Sequence, residues 1–452
     1  MKNILLILGL ILSIPSYSQE KISPDNLRKD IDFLIEKYEK IHPNLYAYTD
    51  KKSFTLKVDK LKNEITDSLT SLDFWMRLAP LINELKDGHT SVSPNYEDVG
   101  LYLKKFNSSE YRYLPFSVFI IDSVIHFREI YGNNSISIIS GSVIKSINGH
   151  SDAEILKKLV GYQSGERLTY RQHYVQRTFL WDFTLHYPSD KYKVEYIENG
   201  KLKTAILNGI TENETSIYNN KVFPELLDYK FKLIDNSIGY LEYNECRNLE
   251  KFRTLLDSSF TIMRQKGTKT LVIDIRKNGG GNSNLNELLL TYLYNKPFNT
   301  YNSIKVKVTD DIRKLNDYYK QFTTDTTINL DTYKRNTPIN RLLFDGKVYI
   351  LISTFTFSSG TDCAMLFKDY YIGTIVGQET GGLPTGYGDE YRFKLPNSGL
   401  NARVSWKYFI RPSGQDDGKG VIPDILIRYS IDDLLSGKDL EMDYVLKRIN
   451  GE

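Results

Sequence analysis

The stretch Val348 to Gly382, VYILISTFTFSSGTDCAMLFKDYYIGTIVGQETGG, constrains the fold more than any other part of the chain. Its apolar run Val348–Ile352 has the length of a fully buried strand. Small and hydroxyl residues follow from Thr356 to Asp362. Ala364, Met365 and Phe367 then begin a helical stretch, and Tyr371–Val376 reads as another buried strand. Strand, tight turn, helix, strand is a parallel crossover unit. A serine where such a strand meets its helix holds its hydroxyl at the carboxyl edge of the sheet. The first N–H groups of the helix point outward there and can hold an anion. Ser358 and Ser359 occupy that junction. Serine is also a preferred helix cap, so this stretch alone leaves a capping role open beside a catalytic one.

Two further stretches bear on that choice. Thr270–Asn282, TLVIDIRKNGGGN, is a second buried strand followed by an Asp, an Arg and three glycines. Asp87-Gly88-His89-Thr90 closes a helical segment and enters a strand over Thr90–Val92. These segments, with Thr356–Thr361 before Gly377–Gly382 and a closing Gly420-Val421-Ile422-Pro423-Asp424, lie in order between residues 87 and 424. As a set they resemble the C-terminal processing peptidases and their tricorn-core relatives, a family of serine peptidases.

The resemblance implies a set of roles. Ser358 is the nucleophile, and a serine hydroxyl needs a base to take its proton. One branch of the family supplies a lysine after the G-E-x-T segment, but the matching position here is Leu383, and Lys368 reads as helix surface charge. The tricorn-like branch uses histidine oriented by an acid. His42, His89, His126, His150, His173 and His186 all precede the core, so the base reaches in from the N-terminal half. His89 holds the matching position. The orienting acid falls at Asp417, where the tricorn type has glutamate, with Asp416 its immediate neighbour. Ser359 and Gly280 are the expected N–H donors to the oxyanion. Asp274 and Arg276 are expected to brace their loop. Thr361 stands where the family usually has Glu, which leaves the packing of the turn in question.

The chain start, MKNILLILGLILSIPSYSQE, has a basic residue, an apolar core from Ile4 to Ile14 and the small-residue site Ser16-Tyr17-Ser18. That core is too short to span a bilayer and has the layout of a secretory signal over residues 1–18, which implies a periplasmic or extracellular protein. A net charge of +3 gives no reason to expect nucleic acid, and no later segment is apolar enough for stable membrane insertion. Two cysteines, Cys246 and Cys363, are few for an exported chain, but a domain this large does not need disulfides. Whether they pair, and the oligomeric state, are not legible. No metal or cofactor is implied, since no ligand cluster has zinc spacing and the glycines lack the G-x-G-x-x-G pattern.

The expected architecture is α/β and multidomain. Residues 19–110 form a helical cap that ends on His89. Residues 111–225 form a β-domain similar to a PDZ module, with no clear carboxylate loop near Leu114-Pro115-Phe116, so a plain structural domain stays open. Residues 226–452 form a core with a mostly parallel, helix-covered sheet. Asp310–Asn340 reads as a surface insertion and Asp432–Ile449 as one helix. The implied function is an exported serine peptidase acting on protein or peptide through Ser358, His89 and Asp417. The alternative is an inactive member of the same fold that binds an apolar ligand or peptide.

Overall fold

The computed structural model describes residues 20–452, except 96, 101, 103–111, 133, 135, 136, 236, 331, 333–339 and 452. The leader expected at residues 1–18 lies outside the described residues.

Helix α1 (Pro24–Ile41) begins with Ser23 at its N-cap and Pro at its first position, and buries Leu27, Ile31, Leu34, Tyr38 and Ile41. Helix α2 (Lys51–Glu64) and α3 (Ser71–Ile82) are capped by the Asp50 and Thr70 side chains, which accept from Ser53 N–H and Asp73 N–H. Lys86 in the left-handed region ends the helical run, and strand β1 (Ser91–Ser93) follows.

The next region is an antiparallel sheet of β2 (Phe116–Ile121), β3 (Val124–Ile130), β4 (Val143–Ile147), β6 (Lys191–Glu198) and β7 (Lys201–Asn208). The short β5 (His150–Ser151) pairs with β4. A two-residue turn joins β2 and β3 through Asp122 and Ser123, both at positive φ, as a tight hairpin of matching twist requires. Helix α4 (Asp152–Gly161) opens with a capping box between Ser151 and Glu154. Helix α5 (Leu168–His186) lays Val175, Phe179, Leu180 and Phe183 on the sheet's Phe116 and Phe127, and α6 (Thr215–Val222) adds Tyr218.

The core sheet has the order β17-β14-β13-β10-β9-β8. Its strands are β8 (Tyr229–Ile234), β9 (Ile238–Tyr243), β10 (Thr270–Asp274), β13 (Lys347–Ile352), β14 (Thr374–Gly377) and β17 (Ile425–Leu426). All pairs are parallel except β8 with β9. Helices α7 (Leu249–Lys266), α8 (Asn284–Thr291) and α9 (Ser359–Tyr370) cover one face, and α11 (Leu440–Asn450), after the short α10 (Ile431–Leu435), covers the other. Burial on both faces is why Leu271–Ile273 and Ile350–Ile352 are continuous apolar runs rather than alternating ones.

A further sheet joins β1, β11 (Ser303–Val308), β12 (Thr326–Leu330), β15 (Gly386–Lys394) and β16 (Asn401–Ile410). The N-terminal helices pack on it, with Leu34, Tyr38 and Phe74 in one cluster with Val306, Val404 and Trp406. The cap therefore shares its core with residues far along the chain. Two expectations differ in detail. Much of Asp310–Asn340 is built into this sheet: Ile312 and Tyr319 are buried and β12 pairs with β11. β12 is the end strand of its sheet, half-buried at most, so its polar, Thr-rich composition reads as a loop. The C-terminal helix breaks into α10 and α11 at Gly437, whose positive φ suits glycine. Cys246 and Cys363 are both buried and free. Among the described residues no helix is long and apolar enough to cross a membrane.

Candidate active site

β13 ends at Ile352, and the turn after it is closed by its own polar groups. Ser353 N–H donates to Thr356 Oγ1 and Thr356 N–H to Ser353 O, each at 3.0 Å. Ser358 then adopts φ 49° and ψ −127° just before α9 begins. A non-glycine residue held there is strained, and such strain collects at functional sites. Thr361 is buried and donates to Thr356 O at 3.1 Å, so the turn packs with its hydroxyl satisfied.

The Asp87–Thr90 turn meets Ser358 from the other side. Buried Asp87 accepts from His89 N–H at 2.9 Å through Oδ1, and its Oδ2 accepts from Thr90 Oγ1 at 2.6 Å and lies 3.0 Å from His42 Nε2. Burial alone would raise the Asp87 carboxyl. The bond and charge of His42, with the charge of His89, hold it well below the usual carboxylate range. Gly88 sits against the Phe357 ring, where an added Cβ would come 2.5 Å from Cζ. This approach lets the His89 ring stack on Phe357, centroids 5.0 Å apart, and Tyr170 stacks on Phe357 at 4.4 Å. His89 Nε2 lies 3.1 Å from Ser358 Oγ, across 269 residues of sequence. Burial, aided by Arg403, pushes the His89 pKa down against Asp87, Glu390 and Asp389. A lowered pKa keeps the ring neutral near pH 7, the form that can accept a proton.

The third segment ties these turns together. Arg276 donates to Asp274, Asp439 and Glu441, bracing its loop against α11. Buried Asn278 accepts Phe357 N–H through its carbonyl, at 3.0 Å, and donates to Tyr243 O at 2.9 Å. Gly280 touches the nucleophile: an added Cβ would lie 2.7 Å from Ser358 Cβ. Its N–H, however, is given to Asn278 Oδ1 at 2.9 Å. Gly280 is therefore a close-packing residue rather than the free donor expected. Ser359 keeps its N–H without an acceptor among the described residues, while its Oγ donates to Gly281 O at 2.7 Å. Gly281 N–H also has no acceptor among them, and Gly281 lines both cavities that contain Ser358 and His89, each about 560 Å³.

Asp417 is not brought to His89. Its exposed carboxylate accepts from Gln415 Nε2 at 2.9 Å and Lys419 N–H at 3.1 Å, and Asp416 accepts from Tyr408 Oη. His89 Nδ1 is buried with no hydrogen-bond partner among the described residues. Lys368 pairs with Asp424 at 2.5 Å, away from Ser358. Besides Asp87, the carboxylates that act on His89 are Asp389 and Glu390, which sit on β15 and escaped the sequence reading. Their signal was Gly386 and Gly388 within a strand, the mark of a close backbone approach. A Cβ on Gly388 would lie 3.8 Å from His89 Cε1.

No curated protein sequence matches the chain. Among solved structures it is similar to mature CPAF bound to lactacystin, at 15% identity and TM-score 0.66 over 95% of this chain and 99% of that one. Mature CPAF alone gives 16% identity and TM-score 0.66, over 95% and 98%. At such identity the likeness is one of fold. Residues 237–427 match the family model described as peptidase family S41. Those residues contain β10, β13, the glycine run and the Ser358 turn, and over them the core of this chain is similar to the serine-type peptidases of family S41.

Proposed function

We propose that the protein is an exported peptidase in which Ser358 attacks a peptide carbonyl and His89 takes, then returns, the proton. The observation that carries this reading is the 3.1 Å approach of His89 Nε2 to Ser358 Oγ. That is within reach for general-base activation, and the neutral imidazole favoured by burial is in the right state. Attack joins Ser358 Oγ to the carbonyl carbon, and the proton moves to Nε2. Collapse then expels the amine, which takes that proton, and water repeats the sequence on the acyl-enzyme. The oxyanion is met by Ser359 N–H, with Gly281 N–H the second donor. Each such donor contributes about 3–4 kcal/mol in related sites. Asp417 acts on His89 only if the turn over residues 415–419 leaves its present bonds, so the resting site is a Ser–His pair. Export rests on the leader-like start from Lys2 to Ser18. A carrier of apolar ligands has no need of an assembled base beside a strained serine, so the geometry favours the enzyme over that alternative.

The test is labelling of the chain from Gln19 onward with a serine-reactive fluorophosphonate, beside Ser358→Ala, Ser359→Ala and His89→Ala. Labelling lost in the Ser358 and His89 variants and kept in Ser359→Ala is the expected result. A folded wild type that takes no label would reject an activated serine.

A further inference from the structure

A cavity of about 660 Å³ lies between the β-domain and the core, on the side of the glycine run away from His89. Its walls include Arg128 on β3, Arg177 on α5, Lys277, Phe355 and Gly279–Gly281. Both arginines lie against aromatic rings, Arg177 against two and Arg128 against one. The Arg177 guanidinium carbon is 4.6 Å from the Phe355 ring centre and 5.1 Å from that of Phe223, and Arg128 is 4.9 Å from Phe119. Among the described residues neither guanidinium donates a hydrogen bond or pairs with a carboxylate. The other basic groups there are accounted for differently. Arg276 is consumed by Asp274, Asp439 and Glu441, and Lys221 pairs with Glu129. Of the acids at the wall, Glu245 pairs with Arg247, which leaves Asp228 against Arg128, Arg177 and exposed Lys277.

A half-buried guanidinium with its stem and face fixed and its donors unspent is preorganised for a carboxylate, which it grips through two parallel bonds. The position links this to the nucleophile. Gly280 forms part of the cavity wall and packs directly on Ser358, and Phe355 stands three residues before that serine. A chain with its scissile carbonyl at Ser358 meets the cavity on crossing the glycine run.

We propose that Arg128 and Arg177 form a subsite for a carboxylate of the peptide substrate, from an acidic side chain or a free chain end, and so determine specificity. This rests on the peptidase reading above. A charge-assisted bidentate contact of this kind corresponds to about a tenfold to hundredfold preference.

The experiment uses internally quenched peptides with Glu, Gln or Lys scanned through each position and with free or amidated ends. The wild type is expected to show a KM at least about tenfold lower for one carboxylate placement than for its Gln or amide counterpart. Which placement responds identifies the source. In Arg128→Glu and Arg177→Glu the preference is expected to invert toward Lys peptides. Arg128→Glu serves if loss of the clamped Arg177 prevents folding. Equal KM for Glu and Gln, and for acid and amide, with no inversion in either variant, would overturn the subsite. Binding of the same peptides to Ser358→Ala, read by fluorescence anisotropy, decides the matter without turnover. If the wild type neither takes a fluorophosphonate nor cleaves any peptide, the peptidase reading fails, while this binding preference still stands or falls on its own.

Discussion

Two turns that the motifs treat as equal partners of Ser358 are built differently. The Asp87–Thr90 turn is buried, and its carboxylate accepts from His89 N–H and Thr90 Oγ1 and lies against His42. The turn over residues 415–419 is exposed, and among the described residues the Asp417 carboxylate bonds only to Gln415 and Lys419 beside it. The first has its geometry over-determined by buried groups from separate elements, while the second is tied to other segments through Tyr408 to Asp416 and Thr385 Oγ1 to Gln415 O, and leaves the Asp417 carboxylate exposed within its own turn. A motif therefore predicts side-chain placement well where buried bonds fix the turn. It predicts poorly where the side chain is exposed and bonded within its own turn.

The largest break in that contrast should come from Gly88. Ala at this position drives a methyl into Phe357, which is already stacked between His89 and Tyr170. The ring cannot yield without moving His89. A misplacement of about 1 Å costs roughly 10²-fold in rate. Gly88→Ala is thus expected to lower the fluorophosphonate labelling rate about 10²- to 10³-fold in a folded protein. A rate within a factor of three of wild type would show that the buried turn is not the rigid partner described here.

The same division explains what could be read from the chain. Strands β10 and β13 were visible because burial on both faces demands continuous apolar runs, and the mostly parallel sheet followed from them. Ser358, Gly280 and His89 were placed near one another by motif order alone. What escaped were effects of long-range packing. Asp389 and Glu390 reach His89 only because β15 pairs with β16, which in turn pairs with β1. The loss of Gly280 N–H to Asn278 Oδ1 depends on a side-chain direction that spacing does not encode. The mixing of the N-terminal helices with β11 and β16 is likewise invisible in a local pattern.

A paired substitution measures the contrast directly. Asp87→Asn removes the charge facing buried His42 and leaves an amide that cannot accept all its present bonds. An unsatisfied buried group costs about 1–3 kcal/mol, so a lower Tm is expected together with an approximately tenfold to hundredfold lower rate. Asp417→Asn should change the rate less than about tenfold and leave Tm unaltered, since its carboxylate is solvated. An acid in contact with the base is worth about 10⁴ in kcat. A loss of that size at Asp417 would show that its turn closes on His89 when substrate binds.

A smaller effect appears in the pH profile. The His89 pKa lies below its ordinary 6.5 because burial disfavours the cation. The base therefore stays neutral as pH falls through 6.5, and the acidic limb of the labelling rate should have its midpoint below that value. Asp389 opposes the shift, so Asp389→Asn is expected to move the limb further toward acid, by less than about one unit. A limb at or above 6.5 would mean that His89 is more solvated than its place beside Phe357 implies.

The smallest predicted effect concerns stability at the edge of the buried turn. Glu166 accepts Gly88 N–H at 3.1 Å through one carboxyl oxygen, while the other is buried without a partner among the described residues. Burial, reinforced by the charge of Asp87, pushes its pKa up to about 8. In the unfolded chain the group loses its proton near the ordinary value of 4.5. Between those two values the folded state holds a proton that the unfolded state has released, so stability falls as pH rises across this window. Below it both states are protonated, and above it both are ionised, so the dependence vanishes at each end. Glu166→Gln keeps an acceptor for Gly88 N–H and removes the titration. The Tm advantage of Glu166→Gln over wild type should therefore be small at pH 4.5, grow steadily to pH 8, and level off beyond. A constant difference across that range would mean that Glu166 titrates alike in both states, and that the floor under Gly88 is open to water, as the Asp417 turn is.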